Sequence, residues 1–200
     1  LEISQGHLSG TVIASHNEEL KETISEVFNT SSFRVYTSKD IFGVELGGAL
    51  KNIYALACGI ADGLGAGENT EGMIITRGLA EMSRFAVALG ADPMTFLGLS
   101  GVGDLVTTCA SPLSRNHAVG KFIGEGKTLE EALGLIGQTA EGLKTLKLVY
   151  IESMKLELKM PIVVSLYRII FENEPLNGSV EKLIGKDELK DVEFSTNLKS

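Results

Sequence analysis

A single lysine stands in a stretch of the sequence that is otherwise nearly free of charge. Lys51 follows Leu-Gly-Gly-Ala-Leu at 46–50 and precedes Asn-Ile-Tyr-Ala-Leu at 52–56. A buried ammonium group is unfavourable unless it is paired, and a lysine in such surroundings is suited to act as a general acid or base. The alternative is an ordinary lysine whose side chain reaches the solvent. The neighbouring glycines and Asn52 favour a catalytic role for Lys51.

An aspartate stands in a similarly apolar stretch further along the chain. Asp104 follows Gly101-Val-Gly103 and precedes Leu-Val-Thr-Thr. Its side chain can cap the start of a helix by accepting a hydrogen bond from a free amide group. The same carboxylate can also pair with Lys51, and either Asp104 or Asn52 could then orient the lysine ammonium.

Three adjacent residues combine a hydroxyl, a guanidinium and an amide. Ser114, Arg115 and Asn116 stand at the predicted start of a helix. Free amide groups and the positive end of the helix dipole suit a phosphate there, and an arginine grips phosphate oxygens in a bidentate manner. The alternative is a capped helix with an exposed arginine. This tripeptide is therefore a candidate phosphate site.

The first forty residues predict a different architecture from the rest of the chain. Residues 11–14 and 33–36 are short β-branched or aromatic runs, and Asn17 begins an amphipathic helix between them. Two strands do not form a stable sheet alone. We therefore interpret this segment as the edge of a larger α/β sheet.

From residue 40 onward the pattern predicts a mainly α domain of seven or eight helices. Apolar residues recur there at helical spacing, with few strand signals. The predicted helices begin near Asp40, Asn69, Pro93, Ser114, Thr128, Pro161 and Pro175, and Leu143, Leu146, Tyr150 and Met154 line a further long helix. The glycines at 63–67 follow a helix rather than a strand, so we interpret them as a turn and not as a dinucleotide-binding loop. The residues after Lys186 are polar, and we expect a frayed tail there.

The composition excludes several classes of function. The 200 residues carry 18 Lys and Arg against 26 Asp and Glu, a net charge of −8 with no basic cluster, which argues against nucleic acid and anionic membranes as partners. No apolar run approaches the roughly 18 residues of a membrane span. The two cysteines can form neither a disulfide scaffold nor a zinc site, and they indicate a reducing compartment. The three histidines share no metal-ligand spacing.

Several segments together resemble the bacterial type of the NAD(P)-dependent glycerol-3-phosphate dehydrogenase family. They keep the family's order and spacing from about residue 9 to 184, which is nearly the whole chain. The matching segments are Val44-Glu-Leu-Gly-Gly-Ala-Leu-Lys-Asn52, Gly59-Ile-Ala-Asp-Gly-Leu-Gly65 with Asn69, Thr76-Arg-Gly-Leu-Ala-Glu-Met82, Gly98-Leu-Ser-Gly-Val-Gly-Asp-Leu105, Ser114-Arg-Asn116 and Glu141-Gly142.

The resemblance implies a division of the chain into three parts. Residues 1–39 would be the C-terminal remnant of a nucleotide-binding (Rossmann) domain. Residues 40–186 would be an all-α substrate domain, similar to the C-terminal helical domain of 6-phosphogluconate dehydrogenase, and 187–200 a polar tail. The glycine-rich turn that opens the family's Rossmann domain is absent from this sequence. We therefore expect a catalytic part of a longer chain, inactive alone.

The resemblance also assigns roles to individual residues. Lys51 would be the acid or base that acts on the C2 oxygen, and the substrate would be dihydroxyacetone phosphate or glycerol 3-phosphate. The residues expected around that substrate are Lys51, Asp104, Ser114, Arg115 and Asn116. The residues expected to contact the cofactor, NAD(H) or NADP(H), are Arg115, Thr139 and Glu141.

Two other interpretations remain open at this point. One is a related dehydrogenase that acts on another hydroxy acid, although the Ser-Arg-Asn tripeptide favours a phosphorylated substrate. The other is a helical binding or dimerisation module without activity of its own. The resemblance further implies a cytoplasmic enzyme of glycerophospholipid synthesis, and the apolar helices could pair between two chains as a homodimer.

Overall fold

The computed structural model describes residues 3–137, 139–176 and 180–184. After a 3₁₀ turn at Ile3–Gln5, the chain forms strand β1 (Ser9–Ala14), helix α1 (Glu18–Phe28) and strand β2 (Phe33–Ser38). The two strands pair in parallel, from Ser9 opposite Phe33 to Ala14 opposite Ser38. As predicted, Asn17 caps α1 by accepting a hydrogen bond from the amide of Leu20.

The rest of the described chain is helical, which confirms the predicted fold class. Its elements are α2 (Ile41–Gly63), α3 (Glu68–Ala88), a 3₁₀ helix (Pro93–Leu97), a π-helical turn (Leu99–Gly103), α4 (Asp104–Ala110), α5 (Arg115–Gly124), α6 (Leu129–Ile136), α7 (Glu141–Lys155), α8 (Pro161–Phe171) and α9 (Glu181–Ile184).

Most of the predicted helix starts are found, and one is wrong. Asp40 caps α2 by accepting from the amide of Gly43, and Thr128 opens α6 with a capping box. Pro175 does not start the last helix, because α9 begins at Glu181. The predicted tail at 187–200 lies outside the described residues. The division at residue 40 stays a prediction.

Helix α2 is the centre of the hydrophobic core. Every residue from Ile53 to Ala61 is buried, and the helix contacts α3, α4, α5 and α7. By length and composition alone it could cross a membrane, since one 18-residue window has a mean hydropathy of 1.2. Half of that window is buried inside the protein. A long apolar helix surrounded by other helices is what a protein core requires.

Glycines bring α5 unusually close to α2. A Cβ atom on Gly59 of α2 would overlap the carbonyl oxygen of His117, and one on Gly120 of α5 would overlap the carbonyl oxygen of Leu56. Only glycine permits so close an approach of two backbones. The crossing fixes the start of α5 beside the part of α2 that carries Lys51 and Asn52.

Candidate active site

Lys51 and Asp104 form an ion pair that joins α2 to α4. The ammonium Nζ lies 2.5 Å from Oδ2 of Asp104, and the two side chains are 23% and 36% exposed. Asp104 is the first residue of α4, and the capping position before it is Gly103, which makes no side-chain cap. Within the described residues, the hydrogen bond found for the Asp104 side chain is the one that Lys51 donates. Pairing with Lys51 is therefore the role that the structure assigns to this carboxylate. Of the two groups predicted to orient the ammonium, Asp104 is the one that contacts it.

Asn52 instead connects α2 to α5 and α7. Its Oδ1 accepts a hydrogen bond of 2.9 Å from Nδ2 of the buried Asn116, and Oδ1 of Asn116 accepts one of 3.0 Å from the amide of Gly142. A Cβ atom on Gly142 would lie 2.7 Å from both the carbonyl oxygen of Asn52 and Oδ1 of Asn116. Three helices thus meet at Asn116.

The predicted tripeptide lies at the start of α5, beside the ion pair. Ser114 caps this helix by accepting a hydrogen bond of 3.3 Å from the amide of His117. Arg115 is exposed. The helix start borders a cavity of about 310 Å³, which is lined by Lys51, Asn52, Thr107, Thr108, Ser111, Leu113, Ser114, Arg115 and Asn116. The structure therefore brings four of the five predicted substrate residues to one cavity.

The fifth predicted residue, Asp104, lines a neighbouring cavity. This space of about 500 Å³ lies between β1 and the helical body, and its lining includes residues 8–12, Leu99, Asp104 and Thr107. Thr107 lines both cavities. The Lys51–Asp104 pair therefore stands between the two spaces, with Lys51 facing one and Asp104 facing the other.

The remaining predicted residues lie at the edge of this region. Thr139 and Glu141 are both exposed, and neither lines the two cavities. Glu141 is the first residue of α7, directly before the amide that binds Asn116. Their predicted contacts with a cofactor stay predictions.

Two threonines beside the ion pair were not predicted from the sequence. Thr107 and Thr108 line the smaller cavity, and the hydroxyl of Thr108 donates a hydrogen bond of 2.6 Å to the carbonyl oxygen of Asp104. The signal was present, because residues three and four positions after Asp104 lie on the same side of a helix.

A buried carboxylate that contacts α2 was not predicted either. Glu81 of α3 is 2% exposed, and it accepts hydrogen bonds from the amides of Ile162 (2.7 Å) and Val163 (3.2 Å) at the start of α8. The hydroxyl of Tyr54 on α2 donates a third bond of 3.3 Å. Burial raises the pKa of Glu81 from 4.5 to about 8, although the bonds that it accepts oppose this shift.

Comparison with known protein families gives a consistent match. The model of the NAD-dependent glycerol-3-phosphate dehydrogenase C-terminus matches residues 40–181. The chain is 54% identical over 193 residues to glycerol-3-phosphate dehydrogenase (NAD(P)+) of Alcanivorax borkumensis, covering 96% of this chain and 56% of the relative. It is 52% identical to the Pseudomonas entomophila protein of the same name, covering 96% and 57%. The chain thus spans little more than half the length of these relatives.

Solved structures agree with these matches. A glycerol-3-phosphate dehydrogenase from Coxiella burnetii superposes with a TM-score of 0.86 at 38% identity, covering 92% of this chain and 57% of that one. The enzyme from Saccharomyces cerevisiae gives 0.82 at 31% identity, covering 92% and 56%. The family model, the relatives and these folds all agree, and the chain belongs to the NAD-dependent glycerol-3-phosphate dehydrogenase family.

Proposed function

We propose that this chain is the substrate-binding and catalytic part of an enzyme that reduces dihydroxyacetone phosphate to sn-glycerol 3-phosphate, reversibly, for glycerophospholipid synthesis. The observation that carries the proposal is the Lys51–Asp104 ion pair, placed beside a cavity that the start of α5 borders. The names of the relatives support the same reaction.

Lys51 is the proton donor of the proposed reaction. When bound, a nicotinamide cofactor, NADH or NADPH, would supply the hydride for C2 of the substrate. As negative charge develops on the C2 oxygen, the Lys51 ammonium stabilises it and donates a proton. Asp104 holds the ammonium in position through their 2.5 Å contact. In the reverse direction neutral Lys51 accepts the proton from the C2 hydroxyl.

The start of α5 holds the substrate phosphate. The first amides of the helix, the Ser114 hydroxyl and the Arg115 guanidinium are all suited to phosphate oxygens. Ser114 accepts a bond from His117, so its own hydroxyl hydrogen is available for donation. A cavity of about 310 Å³ is at the small end of the usual range for ligand sites, which suits a three-carbon phosphate.

The residues present fit one end of the cofactor. The larger cavity adjoins the ion pair, so a nicotinamide there would lie next to the reacting carbon. Arg115, Thr139 and Glu141 are the proposed cofactor contacts, with Glu141 suited to a ribose or amide group rather than a phosphate. The turn between β1 and α1 reads Ser-His-Asn at 15–17, which is not the glycine-rich turn that binds a pyrophosphate.

The organisation of the chain is part of the same proposal. Residues 1–39 belong to the cofactor domain, 40–186 form the substrate domain and 187–200 a polar tail. The parallel strand pair ends at Ser38 and the first long helix begins at Ile41, which supports a boundary between residues 39 and 40. We also propose a cytoplasmic enzyme and a homodimer, for which exposed apolar residues such as Leu148 and Ile151 on α7 provide a surface.

A chimera tests the proposed reaction. The N-terminal part of the Alcanivorax borkumensis relative, up to the point where the alignment starts, is joined to this chain. We expect the chimera to oxidise NADH or NADPH with dihydroxyacetone phosphate and to leave dihydroxyacetone, the unphosphorylated ketone, unreduced. The chain alone should show no turnover. A folded chimera that binds the cofactor yet does not reduce dihydroxyacetone phosphate would contradict the proposal. It would favour the interpretation of this chain as a helical binding module without activity.

A further inference from the structure

Helix α4 lines the smaller cavity with two hydroxyl groups whose hydrogens are already used. Thr107 donates to the carbonyl oxygens of Gly103 (3.0 Å) and Asp104 (3.1 Å), and Thr108 donates to that of Asp104 (2.6 Å). A carbonyl oxygen has no hydrogen to give, so each threonine must be the donor in these contacts. Both hydroxyl oxygens therefore offer only lone pairs to a ligand in the cavity.

The other side-chain hydroxyl and amide oxygens that line this cavity already accept hydrogen bonds from the protein. Their donors are main-chain amides or, in one case, a side-chain amide, and the acceptors are Asn52, Ser111, Ser114 and Asn116. By contrast, the hydroxyl oxygens of Thr107 and Thr108 accept no hydrogen bond from any residue that the structure describes. The Asp104 carboxylate lines the larger cavity and pairs with Lys51. The two threonines are thus the acceptors that the smaller cavity leaves for a ligand.

The proposed substrate has three polar groups, and three helices supply the polar lining of the cavity. The start of α5 is suited to the phosphate, and Lys51 of α2 is suited to the C2 oxygen. The C1 hydroxyl is then left for α4. It is the one hydroxyl group on the carbon chain of dihydroxyacetone phosphate, and as a hydrogen-bond donor it matches a surface that offers only acceptors.

Of the two threonines, Thr107 lies where C1 is expected. Thr107 is exposed and lines both cavities, whereas Thr108 is half-buried and lines the smaller one. In the proposed reaction C2 faces Lys51 from the smaller cavity and the hydride donor from the larger one, so C2 lies where the two spaces meet. Because C1 is bonded directly to C2, its hydroxyl also lies near this junction.

We propose that Thr107 is a specificity-determining residue, whose hydroxyl oxygen accepts a hydrogen bond from the C1 hydroxyl of the substrate. This inference rests on the proposed function and adds a substrate requirement to it: a phosphorylated ketone that carries a hydroxyl group at C1. A ketone without that group leaves the Thr107 oxygen without a donor after water has been displaced. Sites that pair with a substrate hydroxyl discriminate against analogues that lack it for this reason.

Two ketones that differ by one hydroxyl group test the assignment in the chimera. Hydroxyacetone phosphate has a methyl group where dihydroxyacetone phosphate has the C1 hydroxymethyl group, and both keep the carbonyl and the phosphate. We expect the wild type to favour dihydroxyacetone phosphate in kcat/KM. Thr107→Val keeps the shape but removes the oxygen, and it should lower this preference about 2- to 10-fold. Thr107→Ser keeps the oxygen and should retain the preference.

The ratio of the two kcat/KM values separates recognition from damage to the fold, since a structural defect lowers both values alike. Thr108→Val is the matched control, and its ratio should equal that of the wild type. If the wild-type chimera is active and Thr107→Val keeps the wild-type ratio, or if Thr108→Val lowers it instead, Thr107 does not read the C1 hydroxyl. A folded wild-type chimera that reduces neither ketone would instead overturn the proposed function, and this inference with it.

Discussion

Two carboxylates contact helix α2, and their surroundings give them opposite properties. Asp104 is 36% exposed on its side chain and pairs with the Lys51 ammonium at the edge of two cavities. Glu81 is almost fully buried and receives hydrogen bonds from two amides of α8 and from Tyr54, which is one helical turn after Lys51. The same functional group thus belongs to the proposed reaction site in one place and to a helix junction in the other.

The two carboxylates differ in their exposure to solvent and in whether their partner is a cation or neutral hydrogen-bond donors. A partly exposed ion pair contributes little to stability, because water screens the charges, and it remains free to exchange protons with a ligand. A buried carboxyl with three hydrogen-bond donors contributes through those bonds, and removing it leaves the donors unpaired. We therefore expect changes at Lys51 to alter catalysis and changes at Glu81 to alter stability.

The largest expected effect is the loss of catalysis in Lys51→Ala. In the chimera, kcat should fall about a hundred- to ten-thousand-fold, because the proton donor at the C2 oxygen is gone, while KM changes less. Steady-state kinetics with dihydroxyacetone phosphate measure both constants. Lys121→Ala is the matched control, since Lys121 also pairs with an aspartate, Asp62, but lies outside the two cavities. Near-normal kcat in Lys51→Ala would remove Lys51 from the mechanism.

Glu81→Ala should cause the largest loss of stability. Three buried donors lose their acceptor, and each costs about 1–3 kcal/mol, so the free energy of unfolding should fall by about 3–5 kcal/mol. Glu81→Gln keeps the shape and one acceptor oxygen and should lose less. Urea unfolding at constant m-value measures both. The exposed Glu19→Ala should stay within about 0.5 kcal/mol. Equal losses of stability in Glu19→Ala and Glu81→Ala would contradict the role of Glu81 as acceptor for the first amides of α8.

Arg115→Ala should weaken substrate binding more than turnover. Losing charge-assisted hydrogen bonds to a phosphate costs about 1.5–3 kcal/mol, which corresponds to a rise in KM of about 10- to 100-fold. Steady-state kinetics of the chimera measure this rise in KM, and Arg34→Ala, at an exposed position on β2, is the control. If KM for dihydroxyacetone phosphate is unchanged, the start of α5 does not hold the phosphate.

Much of the site could be predicted because its residues contrast with their neighbours. Lys51 and Asp104 are single charges in apolar runs, and Ser114-Arg115-Asn116 combines polar groups at a helix start, so each was visible locally. The contacts between them were not, since Lys51 and Asp104 are 53 residues apart. For the same reason the choice between Asp104 and Asn52 as partner of the ammonium needed the structure.

The fold was predictable where local chemistry sets it. Asn17, Asp40 and Thr128 were recognisable as caps, and each is one. Pro175 was misleading, because a proline that is suited to a helix start does not require a helix. Glu81 gave little signal in Gly-Leu-Ala-Glu-Met, where helical spacing alone does not show that α8 begins beside it.

The pH dependence of stability is the sharpest test of the contrast between Glu81 and Asp104. The pKa of Glu81 is raised to about 8 in the folded chain from 4.5, so between these values the folded state holds a proton that the unfolded state has released. The free energy of unfolding must then fall as the pH rises from about 4.5 to 8, by on the order of 1 kcal/mol per pH unit. Carboxyls with a lowered pKa, such as Glu131, titrate below this window.

Glu81→Gln separates this contribution from those of the other groups. The variant carries no titrating group at position 81, so its urea midpoint should change less between pH 5 and 8 than that of the wild-type chain. Any stability advantage of the wild type over Glu81→Gln should therefore shrink as the pH rises. Parallel curves for the wild type and Glu81→Gln would mean that Glu81 is ionised in the folded state. Its three hydrogen bonds would then outweigh burial, and the contrast between the two carboxylates would rest on their partners rather than on solvent.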